Sequence, residues 1–478
     1  MPMQSTQAVA LNTAGTVHDI FMHARTAFER QRFPDRDQRL ETLRKVEQLL
    51  RANAFALAQA VSADFGNRSI HETQILELFP ALSAIRDAKR HLHQWMKPQR
   101  SWASLWFLPA RREIRPQPLG VVGIIVPWNY PLLLAVAPLV AALAAGNCVL
   151  IKMSEFTPRT GELLARLIGT VFPADQISIV NGNAEVARKF SALPFDHLLF
   201  TGSTAVGRQV MAAAAANLTP VTLELGGKSP AIIGPEADLD IAADKILFGK
   251  CVNAGQTCIA PDYVLLPRGK EDAFIDAARR TVARLYPSLA QNADYTSIIN
   301  MRHFARLHDV LADAAARGAI VTPLAIEATE LAGTQKIAPT IVHNVDESMQ
   351  LMQDEIFGPI LPLLPYETLD AAIAYVNDHP RPLALYYFGD DAQHIDRVLD
   401  QTVAGGVTVN ETLLHISQED LPFGGVGPSG MGAYHGKYGF DTFSKLKPVF
   451  YQSRFNGLNL LKPPYGRRFE AMIKLLLK

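Results

Sequence analysis

Cys258 is the residue of this sequence best suited to act as a nucleophile. Asp238 or Asp240 is placed to cap a helix upstream of it. Gly255 is predicted to end that helix, which puts Cys258 in a loop, while Cys251 on the helix is predicted to face the core. A free thiol has a pKa of about 8.5, so a cysteine needs an activating neighbour to react at neutral pH. The chain must therefore also supply a base, an oxyanion site and an electron acceptor.

Two further residues are candidates for assisting Cys258. Glu224 ends a predicted strand and shares one face with Thr222, where its carboxylate could act as a general base. An ion pair with Lys228 is the alternative. Asn129 follows another predicted strand, and its uncharged amide could donate a hydrogen bond to an oxyanion. Its alternative role is the N-cap of the next helix.

Two other stretches could bind a dinucleotide. Residues 200–207 join a predicted strand to a helix, and their glycines let backbone N–H groups approach a phosphate. Their spacing is not GxGxxG, so an ordinary glycine turn is the alternative. Lys152 and Glu155 follow a strand, where an acid accepts hydrogen bonds from ribose hydroxyl groups. A surface ion pair is the alternative for these two residues.

The composition excludes several classes of protein. The 478 residues suffice for two or three domains with a large core. Lys+Arg and Asp+Glu number 46 each, and this zero net charge argues against a nucleic-acid-binding protein. The 3 cysteines form no CxxC pair, so neither a disulfide framework nor a metal site is expected, and a cytoplasmic location fits.

The hydropathy pattern does not predict a membrane protein. The N-terminus lacks the apolar core of a signal peptide. The longest apolar run, residues 131–145, is too short to cross a bilayer and contains Pro138, so we predict a buried helix. Residues 467–478 could form an amphipathic helix at a membrane surface, although a packed or disordered terminus is favoured.

The elements that must position these residues follow an α/β pattern. Residues 17–95 are predicted to be helical, and strands alternate with helices after residue 121, which indicates parallel sheets that bind ligands at the carboxyl ends of their strands. The predicted strands are 121–126, 148–151, 177–180, 197–200, 221–225, 262–266, 360–364, 383–388 and 406–409. The predicted helices between them are 132–145, 158–172, 184–190, 204–217, 271–285, 369–377 and 392–399.

Residues 97–118 differ in character from their surroundings. They combine basic residues and prolines with a set of apolar side chains, namely Trp102, Leu105, Trp106, Phe107 and Leu108. We predict an extended hairpin whose apolar face packs on a partner subunit. Packing of the hairpin on its own domain is the alternative.

Taken together, several stretches resemble the aldehyde dehydrogenase superfamily, in its order and from about residue 17 to 450. They are Pro127-Trp128-Asn129, Lys152-Met153-Ser154-Glu155, Phe200-Thr201-Gly202-Ser203, Leu223-Glu224-Leu225-Gly226-Gly227-Lys228, residues 253–258, Glu355-Ile356-Phe357-Gly358-Pro359 and Pro422-Phe423-Gly424-Gly425. Further stretches at 61–69, 261–267 and 429–436 are similar to the class 3-like branch with the coniferyl aldehyde dehydrogenases. Met153 departs from the family, which usually has proline there.

The resemblance implies an α/β, aldehyde dehydrogenase-like fold. A Rossmann-type, parallel-sheet NAD-binding domain would span residues 17–225 and include a bridging oligomerisation hairpin at 98–118. A second α/β catalytic domain would span 226–412, and a C-terminal segment, 413–478, would complete the active-site tunnel and the oligomer contact. A homodimer is expected by the same resemblance.

The resemblance also assigns the chemistry. It implies NAD(P)-dependent oxidation of an aldehyde to a carboxylic acid through a thiohemiacetal and a thioester on Cys258. The Asn129 amide and the Cys258 backbone N–H would hold the oxyanion, and Glu224 would activate water to hydrolyse the thioester.

The implied cofactor site and substrate tunnel come from separate stretches. The cofactor-binding residues are Trp128, Lys152, Glu155, Gly202, Ser203, Gly207, Glu355 and Phe357. A carboxylate at the ribose repels a 2′-phosphate, so NAD is expected, with NADP as a second choice because Lys152 and Arg159 are near in sequence. Aromatic or basic residues would line a tunnel for a coniferyl-type aldehyde, namely Tyr130, Phe423, Tyr434 and His435. The alternative is that these side chains pack in the core and the tunnel accepts medium or long aliphatic aldehydes.

Two alternative functions share this fold. CoA-acylating or phosphorylating relatives would keep Cys258 but generally lack the glutamate, so that Glu224 argues for hydrolysis. A non-catalytic, dinucleotide-binding structural protein is disfavoured because Cys258, Glu224 and Asn129 are all present.

Overall fold

The computed structural model describes residues 16–104, 107–325, 331, 333–457 and 462–477. The α-helices are α1 (Val17–Arg30), α2 (Arg36–Ala52), α3 (Ala54–Asp64), α4 (Ile70–Thr73), α5 (Phe79–Trp95), α6 (Leu133–Ala145), α7 (Pro158–Val171), α8 (Ala184–Ser191), α9 (Thr204–Ala215), α10 (Leu239–Cys251), α11 (Glu271–Leu285), α12 (Met301–Ala316), α13 (Gln350–Gln353), α14 (Leu369–Asn377), α15 (Ala392–Gln401), α16 (Gly436–Thr442) and α17 (Arg467–Leu476). The β-strands are β1 (Gln99–Trp102), β2 (Arg111–Pro118), β3 (Val121–Ile125), β4 (Cys148–Lys152), β5 (Ile177–Val180), β6 (His197–Thr201), β7 (Val221–Glu224), β8 (Pro230–Ile233), β9 (Tyr263–Pro267), β10 (Ile320–Pro323), β11 (Thr340–His343), β12 (Ile360–Tyr366), β13 (Ala384–Phe388), β14 (Gly406–Val409), β15 (Gly430–Met431) and β16 (Ser444–Tyr451).

The first sheet has six strands in the order β15-β7-β6-β3-β4-β5. Its strands pair in parallel from β7 to β5, whereas β15 pairs antiparallel with β7. Every residue of β3 and β6 is buried, as expected for a parallel sheet covered on both faces. This order brings the carboxyl ends of β3, β6 and β7 together, so that Asn129, Ser203 and Glu224 emerge at one edge.

The second sheet has seven strands in the order β10-β11-β12-β9-β8-β13-β14. All its neighbours pair in parallel except β10 with β11. The sequence analysis did not predict β8, β10, β11 or α12. Strand β10 lies at the edge of the sheet with no buried residue, so it lacks the apolar run by which the other strands are recognised.

The third sheet contains the predicted hairpin and one strand that was not predicted. Strands β1 and β2 pair antiparallel, and β16 adds along the full length of β2, from Pro118 opposite Ser444 to Arg111 opposite Tyr451. The prediction of a hairpin is therefore confirmed, although Leu105 and Trp106 lie outside the described residues.

The C-terminal part of the chain belongs to more than one sheet. It supplies β15 to the first sheet and β16 to the third. Strands β3 to β7 lie before residue 225 and the seven strands of the second sheet lie between residues 226 and 412, while the division into domains at these residues stays a prediction. Helix α17 forms within the predicted tail and has no buried residue. Within the described ranges, no helix combines the length and hydropathy needed to cross a membrane.

Candidate active site

Residues 252–258, the nucleophile loop, leave helix α10 earlier than predicted. Asp238 caps the start of α10 through its carboxylate, and the helix ends at Cys251 rather than at Gly255 because the chain enters a left-handed turn first. Gly255 has a φ of 74°, and a Cβ there would lie 2.3 Å from the carbonyl oxygen of Gly358. Only glycine fits this position without displacing the neighbouring backbone.

Side-chain amides hold the nucleophile loop in its turn. Asn253 and Ala254 are left-handed, with φ values of 50° and 52°, a conformation that costs roughly 1–2 kcal/mol for a residue with a Cβ. Gln256 Nε2 donates to the backbone carbonyls of Asn253 (2.9 Å) and Ser297 (3.0 Å). Its Oε1 accepts the backbone N–H of Ile299 at 2.9 Å. The loop is thereby fixed on the catalytic side of the second sheet.

Asn129 reaches the nucleophile loop from the loop that follows β3. Its Nδ2 donates to the backbone carbonyl of Gln256 at 3.2 Å. The backbone carbonyl of Asn129 accepts a hydrogen bond from Asn253 Nδ2 at 3.1 Å. Asn129 does not cap α6, because the carboxylate of Glu77 accepts the backbone N–H groups at the start of that helix. A primary amide has two N–H donors, so one remains available for a ligand.

Glu224 ends β7 and is 2% exposed. Neither carboxylate oxygen has a hydrogen-bond partner among the described residues. The alternative ion pair is not formed, since Lys228 binds Asp262 instead. Burial raises the pKa of Glu224 well above its ordinary value of 4.5. Such a carboxylate is a stronger base than an exposed one.

One cavity of about 690 Å³ brings the nucleophile, base and amide together. The predicted residues on its wall are Trp128, Asn129, Gly202, Ser203, Glu224, Cys258, Glu355 and Phe357. Predicted residues outside this wall are Tyr130, Lys152, Glu155, Gly207, Phe423 and His435. The cavity lies between the carboxyl ends of the first sheet and the second sheet, where α/β folds bind ligands.

The Cys258 thiol is shielded and faces acidic groups. Burial, followed by the charges of Glu355 and Glu224, raises its pKa to about 12. The backbone N–H groups of Cys258 and Ile259 act in the opposite direction. The thiol therefore needs a base to react at neutral pH, and the same N–H groups are available to an anion bound at the sulfur.

One end of the cavity has the features of a phosphate and ribose site. Ser203 caps α9, so the positive end of this helix and the Gly202 backbone face the cavity. At Gly226 a Cβ would lie 2.3 Å from a carboxylate oxygen of Glu355, so the glycine lets this hydrogen-bond acceptor approach the backbone closely. Phe357 packs edge-on against Trp128 with centroids 5.3 Å apart. These residues fit a dinucleotide with a planar ring.

The other predicted cofactor residues lie on neighbouring elements. Lys152 is 1% exposed, and its Nζ donates to the carbonyl of Met153 at 2.6 Å, so it is not part of a surface ion pair. Glu155 is exposed in the turn after β4. Gly207 lies in α9, where a Cβ would lie 2.6 Å from Leu225, so its absence allows the helix to pack closely on the sheet.

Comparison with known proteins identifies the family. The aldehyde dehydrogenase family model matches residues 3–449. The chain is 51% identical over 454 residues to a "Probable coniferyl aldehyde dehydrogenase" of Pseudomonas aeruginosa, covering 95% of this chain and 94% of that protein. The chain belongs to the aldehyde dehydrogenase family. The predicted fold and the predicted class, an NAD(P)-dependent aldehyde dehydrogenase, are thereby confirmed.

Two further relatives cover the chain almost completely. The "Coniferyl aldehyde dehydrogenase" of a Pseudomonas species (strain HR199) is 50% identical over 442 residues, which is 92% of each chain. The solved "Substrate bound state of Staphylococcus Aureus AldH" superimposes with a TM-score of 0.91 and 38% identity. That superposition covers 97% of this aldehyde dehydrogenase and all of that chain.

Phe423, Tyr434 and His435, which are predicted substrate residues of this aldehyde dehydrogenase, form an aromatic cluster outside the cavity wall. Phe423 stacks on His435 with centroids 5.3 Å apart and on His415 at 6.0 Å. Tyr434 is 1% exposed, and burial with the charges of Glu224 and Cys258 raises its pKa. Within this cluster, Tyr434 is thus the residue on which the charges of Glu224 and Cys258 act.

Tyr130 is separate from that cluster. It is 8% exposed, and its hydroxyl pairs with Thr257 Oγ1 at 2.7 Å, next to the nucleophile. In this structure it supports the nucleophile loop, and a direct contact with substrate stays a prediction.

Sequence reasoning missed a set of charged residues around the site. They are Arg68, Glu72 and Glu77 from the N-terminal part of the chain and His303 and Arg306 from α12. His303 faces Trp128 with centroids 5.2 Å apart, and burial with the charges of Arg306 and Arg302 lowers its pKa to about 4. No sequence signal marks the first group, because Arg68, Glu72 and Glu77 lie among other polar residues such as Ser69, His71 and Gln74.

Proposed function

We propose that this aldehyde dehydrogenase oxidises an aromatic, coniferyl-type aldehyde to its carboxylic acid, with NAD as the preferred cofactor. The observation that carries the proposal is the placement of Cys258, Asn129 and Glu224 on the wall of one cavity. They come from the second sheet, the loop after β3 and the end of β7, so their convergence depends on the whole fold.

Cys258 forms the covalent bond to substrate. Loss of its proton to a base gives the thiolate, which attacks the aldehyde carbon, forms a carbon–sulfur bond and moves the carbonyl electron pair to oxygen. Asn129 Nδ2 and the Cys258 N–H donate to this oxyanion. When bound, the nicotinamide supplies the hydride acceptor that converts the thiohemiacetal into a thioester.

Glu224 completes the reaction. Its unpaired carboxylate takes a proton from water, and the resulting hydroxide adds to the thioester carbon. Collapse of the tetrahedral adduct breaks the carbon–sulfur bond and releases the acid and the Cys258 thiolate. A raised pKa suits this step, because a more basic carboxylate accepts the proton of water more readily.

The cofactor assignment rests on the cradle around Gly202, Ser203 and Glu355. The start of α9 would hold the pyrophosphate, and Glu355 would accept from the nicotinamide ribose. Glu155, exposed after β4, would accept from the adenosine ribose and disfavour a 2′-phosphate. A strong preference for NADP would contradict this role of Glu155.

The aromatic substrate is supported by the names of the two Pseudomonas relatives. The Phe423, Tyr434 and His435 side chains are buried outside the cavity wall, so their direct contact with the aldehyde stays a prediction. A medium or long aliphatic aldehyde is the alternative for the same tunnel.

A substrate screen tests the proposal directly. Purified enzyme is assayed with coniferaldehyde, cinnamaldehyde, hexanal and decanal, each with NAD and NADP, by kcat/KM. We expect the aromatic aldehydes to exceed decanal by about tenfold or more, the range that pocket shape alone provides. Higher values for decanal would establish the aliphatic alternative.

The same assay distinguishes the other reaction types. When CoA is added, the product should still be the free acid. An acyl-CoA product would show that the enzyme transfers the acyl group to CoA and does not hydrolyse the thioester. Cys258→Ser should lose turnover while binding NAD. If wild-type enzyme binds NAD but turns over none of the aldehydes, the structural-protein alternative holds.

We also propose a homodimer that forms through the third sheet. The strand register places Ile114, Leu446 and Phe450 on one face of this sheet, where they are 39%, 38% and 51% exposed and form an apolar patch. The cytoplasmic location stays a prediction.

A further inference from the structure

The segment between Arg68 and Glu77 sends charged side chains toward the catalytic loops. Arg68 and Glu77 are buried, and Glu72 is half-buried. A π-helical turn, Gln74–Leu78, contains Glu77. Such turns are rare and occur frequently at functional sites. The segment therefore departs from regular helix where its charges point inward.

Arg68 holds the backbone of the oxyanion residue. Its Nη1 donates to the carbonyl oxygen of Asn129 at 2.6 Å, and Asn253 Nδ2 donates to the same oxygen at 3.1 Å. The guanidinium lies over the ring of Tyr130, 4.7 Å from its centroid. The Asn129 side chain is held separately by the Gln256 carbonyl. Both ends of Asn129 are thus fixed.

Glu77 links this arrangement to helix α6. Its carboxylate lies 3.2 Å from Arg68 Nη1 and accepts the backbone N–H groups of Leu132 (2.8 Å) and Leu133 (3.2 Å). The loop between β3 and α6 is therefore held at Asn129 by the arginine and at its far end by the glutamate.

The buried ion pair is not explained by stability alone. Taking both charges out of water costs several kcal/mol per ion, and apolar residues of similar volume often stabilise a fold equally well. What an apolar residue cannot supply is a directed donor to the Asn129 carbonyl. A displacement of about 1 Å at a catalytic group can reduce turnover by about 100-fold.

We propose that Arg68 is a positioning residue that orients the Asn129 amide toward the oxyanion, with Glu77 orienting Arg68. The inference rests on the proposed function, because it requires Asn129 to bind the oxyanion. Arg68 acts through Asn129 and has no contact with substrate in this scheme.

A double-mutant cycle tests the coupling. Arg68→Met, Asn129→Ala and the double variant are compared by kcat and by KM for aldehyde and NAD. We expect Asn129→Ala to lower kcat by about 100-fold. Arg68→Met should lower kcat by about 10- to 100-fold with the KM for NAD unchanged. In the Asn129→Ala background Arg68→Met should lower kcat by less than about threefold, because its effect is already lost.

Arg39 provides a matched control at the other end of α6. It is 7% exposed and donates to the carbonyl oxygens of Ala144 and Pro34, each at 2.9 Å. Arg39→Met should lower the melting temperature to a similar extent as Arg68→Met but leave kcat within about threefold of wild type. Equal losses of kcat in the two variants would overturn the proposal.

Further variants keep the test decisive if Arg68→Met does not fold. Arg68→Lys keeps the charge and one donor, so it should recover part of the kcat, and Glu77→Gln should lower kcat in the same direction. Full activity of Arg68→Lys and Glu77→Gln, or multiplicative losses in the cycle, would overturn the inference alone. Full activity of Asn129→Ala would instead overturn the proposed function.

Discussion

At the scale of single residues, the site is defined by acids and a thiol that are shielded from water. The Glu224 carboxylate has no hydrogen-bond partner in the described part of the chain, and the charges of Glu355 and Glu224 act on the Cys258 thiol. Each of the three groups therefore has a raised pKa. Shielded groups that differ from their ordinary protonation are the ones from which general acids and bases are made.

Glu224→Gln should stop the reaction at the thioester. The amide has nearly the size of the carboxyl group but cannot take a proton from water, so reduced nicotinamide should form in a burst of about one per site. Steady turnover should fall by about 100-fold or more. Stopped-flow absorbance measures both phases. Steady turnover at the wild-type rate would remove Glu224 from the role of base, and retained NAD binding controls for folding.

The reactivity of Cys258 should rise steeply with pH. Since its thiol pKa is about 12, the thiolate fraction increases about tenfold per pH unit between pH 7 and 9. Glu355, whose pKa burial raises to about 8, becomes charged over the same range and opposes thiolate formation. Glu355→Gln should therefore react faster than wild type above pH 8.

The rate of alkylation by iodoacetamide, followed by loss of activity, checks this pH dependence without requiring cofactor. Cys258→Ser, examined by peptide mass analysis, shows any labelling of Cys148 or Cys251. A pH-independent rate in wild type would mean that Cys258 is already ionised at pH 7.

At the scale of elements, the strand ends and the nucleophile loop decide the geometry. Parallel strands such as β3 and β6 were predictable because a strand buried on both faces is a short apolar run, whereas the four-residue parallel strands β8 and β11 were not predicted. Strand β16 was not, since its lysines and Pro448 are typical of a loop and it lies at a sheet edge. Motif order also predicted Cys258, Glu224 and Asn129.

The contacts that orient those residues could not be predicted in the same way. The hydrogen bond from Arg68 to Asn129 joins residues 61 positions apart, and neither local periodicity nor turn chemistry specifies such a pair. The predicted end of helix α10 at Gly255 was also wrong, because the helix ends at Cys251. Long-range hydrogen bonds made by Asn253 hold the left-handed turn of Asn253 and Ala254 that follows. Tertiary contacts decided both outcomes.

Gly255→Ala tests the nucleophile loop as a unit. A Cβ at this left-handed position would displace the Gly358 carbonyl, so we expect a lower melting temperature and a kcat reduced by about tenfold or more. Gly269 is the matched control, because its φ is 83° but a Cβ there meets nothing within 4 Å. Gly269→Ala should lower the free energy of unfolding by only roughly 1 kcal/mol, the cost of a left-handed conformation for alanine, and should keep the kcat of wild type. Equal activity of the two variants would contradict the steric argument.

At the scale of the whole molecule, each of the three sheets contributes a different feature. The first supplies Glu224 and the proposed phosphate site, the loop that leads into the second supplies Cys258, and the third presents an exposed apolar surface. The C-terminal part of the chain connects the first and third sheets through β15 and β16. One stretch of backbone therefore connects the proposed dimer surface with the strand that pairs beside Glu224.

Leu446→Glu should dissociate the proposed dimer. Leu446 lies opposite Pro116 on the apolar face of the third sheet, so a carboxylate there would be buried in the interface with no cation directly across the strand, and the mass should fall from twice 52.4 kDa to that of one chain. Light scattering coupled to size-exclusion chromatography measures this. Phe55→Glu, at a 60% exposed position on α3, should leave the mass unchanged. A wild-type mass of 52.4 kDa would refute the dimer.

The antiparallel pairing of Gly430 with Glu224 has a consequence for biosynthesis. The ribosome emits the strand with the base roughly 200 residues before the strand that pairs beside it. A nascent chain can thus assemble its nucleotide sheet early, yet it lacks the lateral support of its base until synthesis is nearly finished. Prematurely terminated products that end after Cys258 but before Gly430 should be inactive protein that a cell must degrade, even though they contain Asn129, Glu224 and Cys258.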